Sequence, residues 1–336
     1  MMALYLLAAL LACLLGAVVM LETCAPARAA VLGLALERRR AGLSWDSATI
    51  PGADMPYLEG GHGETVVLLH GFGGDKDNFV RTVTGLTRHY HVVIPDLPGF
   101  GEASRDAGAD ADYSIARQVD NLAAFLYKLG LERVHLGGHS MGGFIAAEFA
   151  ARHPAQVASL WLLSPAGTSA GRNGELERCY AATGAFPWLL PHAAAIDELI
   201  AAATARPLLI SPSYRRHLGL RGAADFALHT RIMRQLQDSP FLEARFYRIE
   251  TPALIVWGEA DRIHLGAGAD ALHAIMPNST ILRMRGIGHL AMVDAPRQCA
   301  DNYLAFLAAL ARQRVAAGAD AAGATGAATL PRTLFF

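Results

Sequence analysis

The run Leu136-Gly137-Gly138-His139-Ser140-Met141-Gly142-Gly143 constrains this chain more than any other stretch. Residues 134–136 end a short apolar strand, and the residues from Phe144 onward have the apolar spacing of a helix. Ser140 therefore stands on a strand-to-helix turn, with Gly138 and Gly142 two positions to either side in a G-x-S-x-G pattern. Such a turn forces the serine into a strained backbone, and only neighbours without side chains let strand and helix pass closely enough to hold it. The hydroxyl is then presented outward, with the Met141 N–H aimed at the same point. A glycine-rich strand-to-helix turn also occurs in nucleotide-binding folds, so the motif alone leaves both readings open.

The surrounding pattern narrows the choice. Residues 65–70 and 91–96 form apolar runs suited to strands buried on both faces of a parallel sheet. Further strands are expected at 44–48, 57–58, 158–163, 253–257 and 280–284, and helices near 79–86, 113–129, 269–275 and 296–312. Strands alternating with helices at this spacing call for right-handed crossovers in a parallel sheet. The alternation breaks between residues 167 and 247, where helical pieces are separated by Pro187, Pro191, Pro207, Pro212 and Pro240. That segment is expected to be a helical cap over one end of a core made of residues 44–166 and 248–313. Residues 314–336, rich in Ala and Gly, are expected to be a mobile tail.

Hydrophobic residues make up 53% of the chain and charged ones 18%, which permits a large core and excludes global disorder. A net charge of −1 without a long basic run points away from nucleic acid. Cys13, Cys24, Cys179 and Cys299 lack metal-type spacing and are read as unpaired. Residues 2–21 carry no charge over a length able to cross a hydrocarbon core of about 30 Å. Their leucines contribute about −4 kcal/mol toward insertion, so residues 1–22 are expected to anchor the chain in a membrane. The rival is a signal peptide cleaved near Ala27-Arg28-Ala29, although no basic n-region precedes it. Residues 23–43, with Arg38-Arg39-Arg40, read as a juxtamembrane helix whose arginines face lipid headgroups. By the positive-inside rule they place the body of the protein on the cytoplasmic side, with a periplasmic or secreted body as the alternative if the leader is cleaved.

Acyl transfer by a serine needs a base, an acid that orients the base, and donors for the oxyanion. His289 in Gly286-Ile287-Gly288-His289 follows the last expected strand, and Asp261 in Gly258-Glu259-Ala260-Asp261-Arg262 follows the one before it. Ligands gather at the carboxyl ends of parallel strands, so Ser140, Asp261 and His289 should converge there. Glu259 competes with Asp261 as the acid. The oxyanion donors should be the backbone N–H groups of Met141 and of Phe72 in His70-Gly71-Phe72-Gly73-Gly74, with His70 bracing that loop. His139 should pack beneath the turn, and Asp96 should anchor the Pro98-Gly99 turn.

The blocks LLHGFGGDKDNF, PDLPGFGEAS, GGHSMGG, LIVWGEADRI and GIGHLAMVDAP, in this order, resemble the α/β-hydrolase superfamily over residues 44–312. More narrowly they resemble bacterial lipases and esterases with an N-terminal hydrophobic anchor, and monoacylglycerol lipases of the ABHD type. The resemblance implies a mostly parallel eight-stranded sheet flanked by helices, with Ser140 as nucleophile, His289 as base and Asp261 rather than Glu259 as acid. It implies no cofactor or metal. The expected reaction is hydrolysis of a medium-chain lipid ester such as a monoacylglycerol. Phe186, Trp188, Leu189 and Leu190 are expected to form an apolar wall of the cap, with ordinary cap core as the alternative, and Phe144 and Met141 to line the acyl pocket or else pack the helix after the serine. Carbon–carbon bond hydrolases and cofactor-free haloperoxidases share the same three residue types and stay open, as do receptors or membrane scaffolds that keep the fold without turnover. The oligomeric state is not legible.

Overall fold

The computed structural model describes residues 1–105, 108, 111–172 and 174–326. Eight strands form one sheet: β1 (Ser44–Ile50), β2 (Ala53–Gly60), β3 (Thr65–Leu69), β4 (His91–Pro95), β5 (Val134–His139), β6 (Val157–Leu163), β7 (Ala253–Gly258) and β8 (Ser279–Met284). Their order is β1-β2-β4-β3-β5-β6-β7-β8, with β1 and β2 antiparallel to their neighbours and the rest parallel. This is the α/β-hydrolase fold. β2 is longer than the expected strand at 57–58 and runs through Pro56. Pro56 faces Ser47 of β1, while the ladder with β4 begins only at Tyr57, so the missing N–H leaves no gap on that side.

Alternate residues of β3 and β4 divide the core. Val67, Leu69 and Val93 pack with Ile145, Phe149 and Leu122 on one face. Val66, Leu68, Val92 and Ile94 pack with Phe79, Val83 and Tyr303 on the other. Each such side chain, taken fully out of water, contributes about 1.5–3 kcal/mol before its ordering entropy is set against it. The helix Met141–Arg152 is buried from Met141 to Ala150, which suits its run of small and apolar residues with no polar stripe.

Between β6 and β7 the chain forms the helices Glu175–Thr183, Ile196–Ala203, Pro212–Ala224, Phe226–Gln237 and Leu242–Arg245, with no strand among the described residues. Pro212 opens its helix at the first turn, and the side chain of Ser211 caps it by accepting from the Tyr214 N–H at 3.2 Å. Met2–Cys24 is one helix without a buried residue, and it is long and apolar enough to cross a membrane. Pro26, which cannot continue that helix, opens the next one, Pro26–Arg40.

Two expectations are corrected. The last helix runs Pro296–Gly326, past the end expected at residue 312, so residues 314–326 are helical and not a loose tail. Alanine is the strongest helix former, and its intrinsic preference carries the helix where periodicity fades; the remainder, 327–336, lies outside the described residues. Arg38 does not face lipid. Its Nε and one Nη donate to both carboxylate oxygens of Asp77 at 2.6 Å, while Arg39 and Arg40 are exposed.

Candidate active site

β5 ends at His139, and Ser140 takes φ 52° and ψ −116° before the helix begins. The glycines around it are there for space. A Cβ on Gly138 would lie 2.2 Å from the Gly142 carbonyl oxygen, one on Gly142 would lie 2.3 Å from that of Leu69, and one on Gly143 would lie 2.6 Å from Pro165 Cβ. No side chain fits at those distances, so the motif is required by the close passage of β5, the helix and the β3 loop. Ser164 is the other non-glycine residue with positive φ among those described, but it is fully buried.

Asp261 and His289 meet at the same end of the sheet, beyond β7 and β8. His289 Nδ1 lies 2.8 Å from Asp261 Oδ2, and the other carboxylate oxygen accepts the N–H groups of Ile263 and His264, both at 2.9 Å. Burial alone would raise the Asp261 pKa, but His289 and these hydrogen bonds outweigh it and hold the group down at about 2. An ionised carboxylate only accepts, so His289 Nδ1 carries the proton and Nε2 presents its lone pair. Ser140 and His289 line one cavity. Among the described residues no hydrogen bond joins the Ser140 hydroxyl to the His289 ring. Glu259, the competing acid, is exposed.

Two further imidazoles flank His289, and only one was singled out in the sequence. The His139 ring lies 4.6 Å and the His264 ring 5.1 Å from it, centroid to centroid. Burial first, and then the neighbouring His289, push both pKa values down, that of His264 to about 4. Both rings therefore stay neutral and do not compete for the proton. His139 Nε2 donates to the His289 carbonyl at 3.1 Å, which ties the two loops together. The signal for His264 was its place three residues after Asp261, on the loop whose N–H groups hold the carboxylate.

Met141 and Phe72 both line the cavity, Met141 at the first turn of its helix. The loop carrying Phe72 lies against the serine: a Cβ on Gly71 would stand 3.2 Å from Ser140 Cβ and 2.6 Å from His139 Nδ1. His70 braces that loop. Its Nε2 accepts the Leu97 N–H at 3.0 Å, so its Nδ1 must be the donor to the Gly71 carbonyl at 2.8 Å, the neutral tautomer that burial favours. Asp96, as expected, holds structure: it is fully buried and accepts from Lys76 Nζ and N at 2.7 Å and from the Glu102 N–H at 2.8 Å.

The cavity measures about 330 Å³ and is walled by Phe144, Trp188, Leu189, Leu190, Ile196 and Leu199 among others. Phe186, also expected there, does not line it. Its ring stacks on Tyr180 at 4.2 Å and so supports Trp188 from behind, at 5.9 Å. The sequence reading also missed Leu34 and Glu37 of the helix Pro26–Arg40, which reach the cavity wall.

The α/β hydrolase fold family model matches residues 64–296. Lipase 1 of Psychrobacter immobilis is 35% identical over 83% of this chain and 88% of its own. The monoacylglycerol lipase ABHD6 of Mus musculus is 28% identical over 74% of this chain and 77% of its own. A crystal structure of a membrane phospholipase A, described as a bacterial virulence factor, superposes with a TM-score of 0.81 at 35% identity, covering 92% of this chain and 99% of that one. The chain belongs to the α/β-hydrolase family. Within it, the lipase relatives put the chain in the lipase and esterase group, whose members hydrolyse carboxylic esters.

Proposed function

We propose that the protein is a membrane-anchored lipase that cleaves a medium-chain lipid ester, such as a monoacylglycerol, through an acyl-enzyme on Ser140. The observation that carries this reading is that one cavity holds Ser140, His289 and a wall of apolar cap side chains. Ser140 Oγ attacks the ester carbonyl carbon as His289 Nε2 takes its proton, and the negative charge that develops on the carbonyl oxygen is met by the N–H groups of Phe72 and Met141. The tetrahedral intermediate collapses, the carbon–oxygen bond breaks, and His289 returns the proton to the departing alcohol. Water then enters, gives a proton to His289 and releases the fatty acid, which restores the serine. Asp261 keeps the imidazole oriented and stabilises its charged form without being protonated itself.

The helix Met2–Cys24 anchors the body at the surface from which such an ester comes. Arg28, Arg39 and Arg40 on its far side favour a catalytic body on the cytoplasmic face of a bacterial inner membrane. Digestion of the body by protease added to intact spheroplasts would reverse that orientation.

A series of p-nitrophenyl esters tests the substrate class. A buried methylene is worth about 0.8 kcal/mol, so octanoate should exceed acetate in kcat/KM by at least about tenfold. Preference for acetate would rule out a chain-binding lipase.

A further inference from the structure

Residues 75–81, immediately after the Phe72 loop, are held by side chains from three directions. From the core, Lys76 is bound through its N–H and Nζ to Asp96, both at 2.7 Å. From the cap, Arg221 of the helix Pro212–Ala224 pairs with the buried carboxylate of Asp75, which caps the short turn Lys76–Phe79 by accepting the Asp77 N–H at 2.9 Å. From the membrane side, Arg38 of the helix Pro26–Arg40 grips Asp77 through two bonds of 2.6 Å, and Glu37 one residue earlier pairs with Arg81 at 2.6 Å. A paired fork of this kind fixes orientation as well as distance.

That turn is continuous with the loop whose N–H serves the oxyanion. Asn78 Oδ1 accepts the Asp75 N–H at 3.1 Å and stands where a Cβ on Gly74 would be, 2.1 Å away, while the Gly74 N–H bonds the Gly71 carbonyl at 3.1 Å. A shift of Asp75 or Asp77 is therefore passed to Gly74 and Gly71, on either side of Phe72. The N-terminal helix is also tied to the cap: Glu22, near the end of Met2–Cys24, accepts from the N–H of Ser213 at 3.1 Å and from its hydroxyl at 2.9 Å, at the start of the cap helix that carries Arg221.

We infer that the juxtamembrane helix and the cap are positioning elements for the Phe72 oxyanion donor, acting through Arg38 on Asp77 and Arg221 on Asp75. The inference rests on the proposed role of Phe72 and Ser140. It gives the N-terminal segment a part in turnover beyond tethering: where the anchor or cap is displaced, the donor moves off the position of the developing charge. Misplacement of a catalytic group by an ångström costs up to about a hundredfold, whereas binding of a small ester in the cavity is little affected.

The test uses full-length protein in detergent and p-nitrophenyl butyrate, a soluble ester that needs no membrane for access. Turnover is expressed per site titrated with a fluorophosphonate, so that loss of folded protein does not enter. Arg38→Ala and Arg221→Ala are each expected to lower kcat about tenfold or more while KM stays within about threefold. Arg38→Ala combined with Asp77→Ala should be no worse than Arg38→Ala alone, because both remove one link. Arg39→Ala, exposed on the same helix, should match wild type. Arg38→Lys keeps the charge but loses the fork; where the alanine variants do not fold, it should still lower kcat about threefold or more. Wild-type kcat per titrated site in Arg38→Ala and Arg221→Ala, or in Arg38→Lys where those fail to fold, would overturn the coupling, as would a loss carried entirely by KM. A wild-type protein without esterase activity would instead sink the proposed function itself.

Discussion

Replacing Ser140 by Ala should lower kcat on p-nitrophenyl butyrate by about 10⁵- to 10⁶-fold, with the far-ultraviolet circular dichroism spectrum unchanged. The size of the effect follows from the proposed role of the hydroxyl: without a nucleophile no acyl-enzyme forms, and the proposed oxyanion donors with binding leave only a residual acceleration over water. The fold should survive because the substitution removes one oxygen that makes no hydrogen bond to His289, and Ala keeps the Cβ already accommodated at φ 52°. Alanine in that conformation stays strained, so a modest fall in melting temperature is expected and a collapsed protein is not. A variant retaining a tenth of wild-type turnover would mean that the ester is cleaved elsewhere.

Asp261→Asn should cost about 10⁴-fold in kcat, since an amide facing His289 can donate where the carboxylate only accepts, and so favours the tautomer that leaves Nε2 without a lone pair. Glu259→Gln, on an exposed side chain of the same loop, should leave kcat unchanged. The substitution has a second consequence in acid. The Asp261 carboxyl, ordinarily at 3.8, is held at about 2 in the folded protein, so its contribution to stability is complete above its unfolded value and is lost as pH falls through the folded one. A shift of that size corresponds to about 2 kcal/mol. Wild-type melting temperature should therefore fall between pH 4 and 2 more steeply than that of Asp261→Asn. Parallel acid profiles for the two proteins would contradict the assignment of Asp261 as the ionised partner of His289.

Features written into local geometry were legible in the sequence. The elbow was readable because Gly138, Gly142 and Gly143 are dictated by backbone spacing, and the parallel strands because residues buried on both faces form unbroken apolar runs. Asp261 and His289 could be placed because each directly follows a strand whose end must lie at the same edge of the sheet. What escaped depends on contacts between distant segments. Phe186 and Trp188 share a short aromatic stretch, and only the stacking of Phe186 on Tyr180 decides which of them reaches the cavity. Arg38, read as facing lipid from its basic neighbours, is taken by Asp77, thirty-nine positions away. Leu34 and Glu37 reach the cavity only because the helix Pro26–Arg40 packs along the helix Pro212–Ala224. Pattern also understated the final helix, whose alanines favour helix without marking a buried face.

In the proposed reaction the geometry around Ser140 makes its hydroxyl the nucleophile. Reaction of the full-length protein with a fluorophosphonate, followed by peptide mass spectrometry, measures this directly. One adduct per chain is expected, located on Ser140 and slowed strongly in His289→Ala. An adduct on another residue, or ester hydrolysis that continues with Ser140 unlabelled, would contradict it.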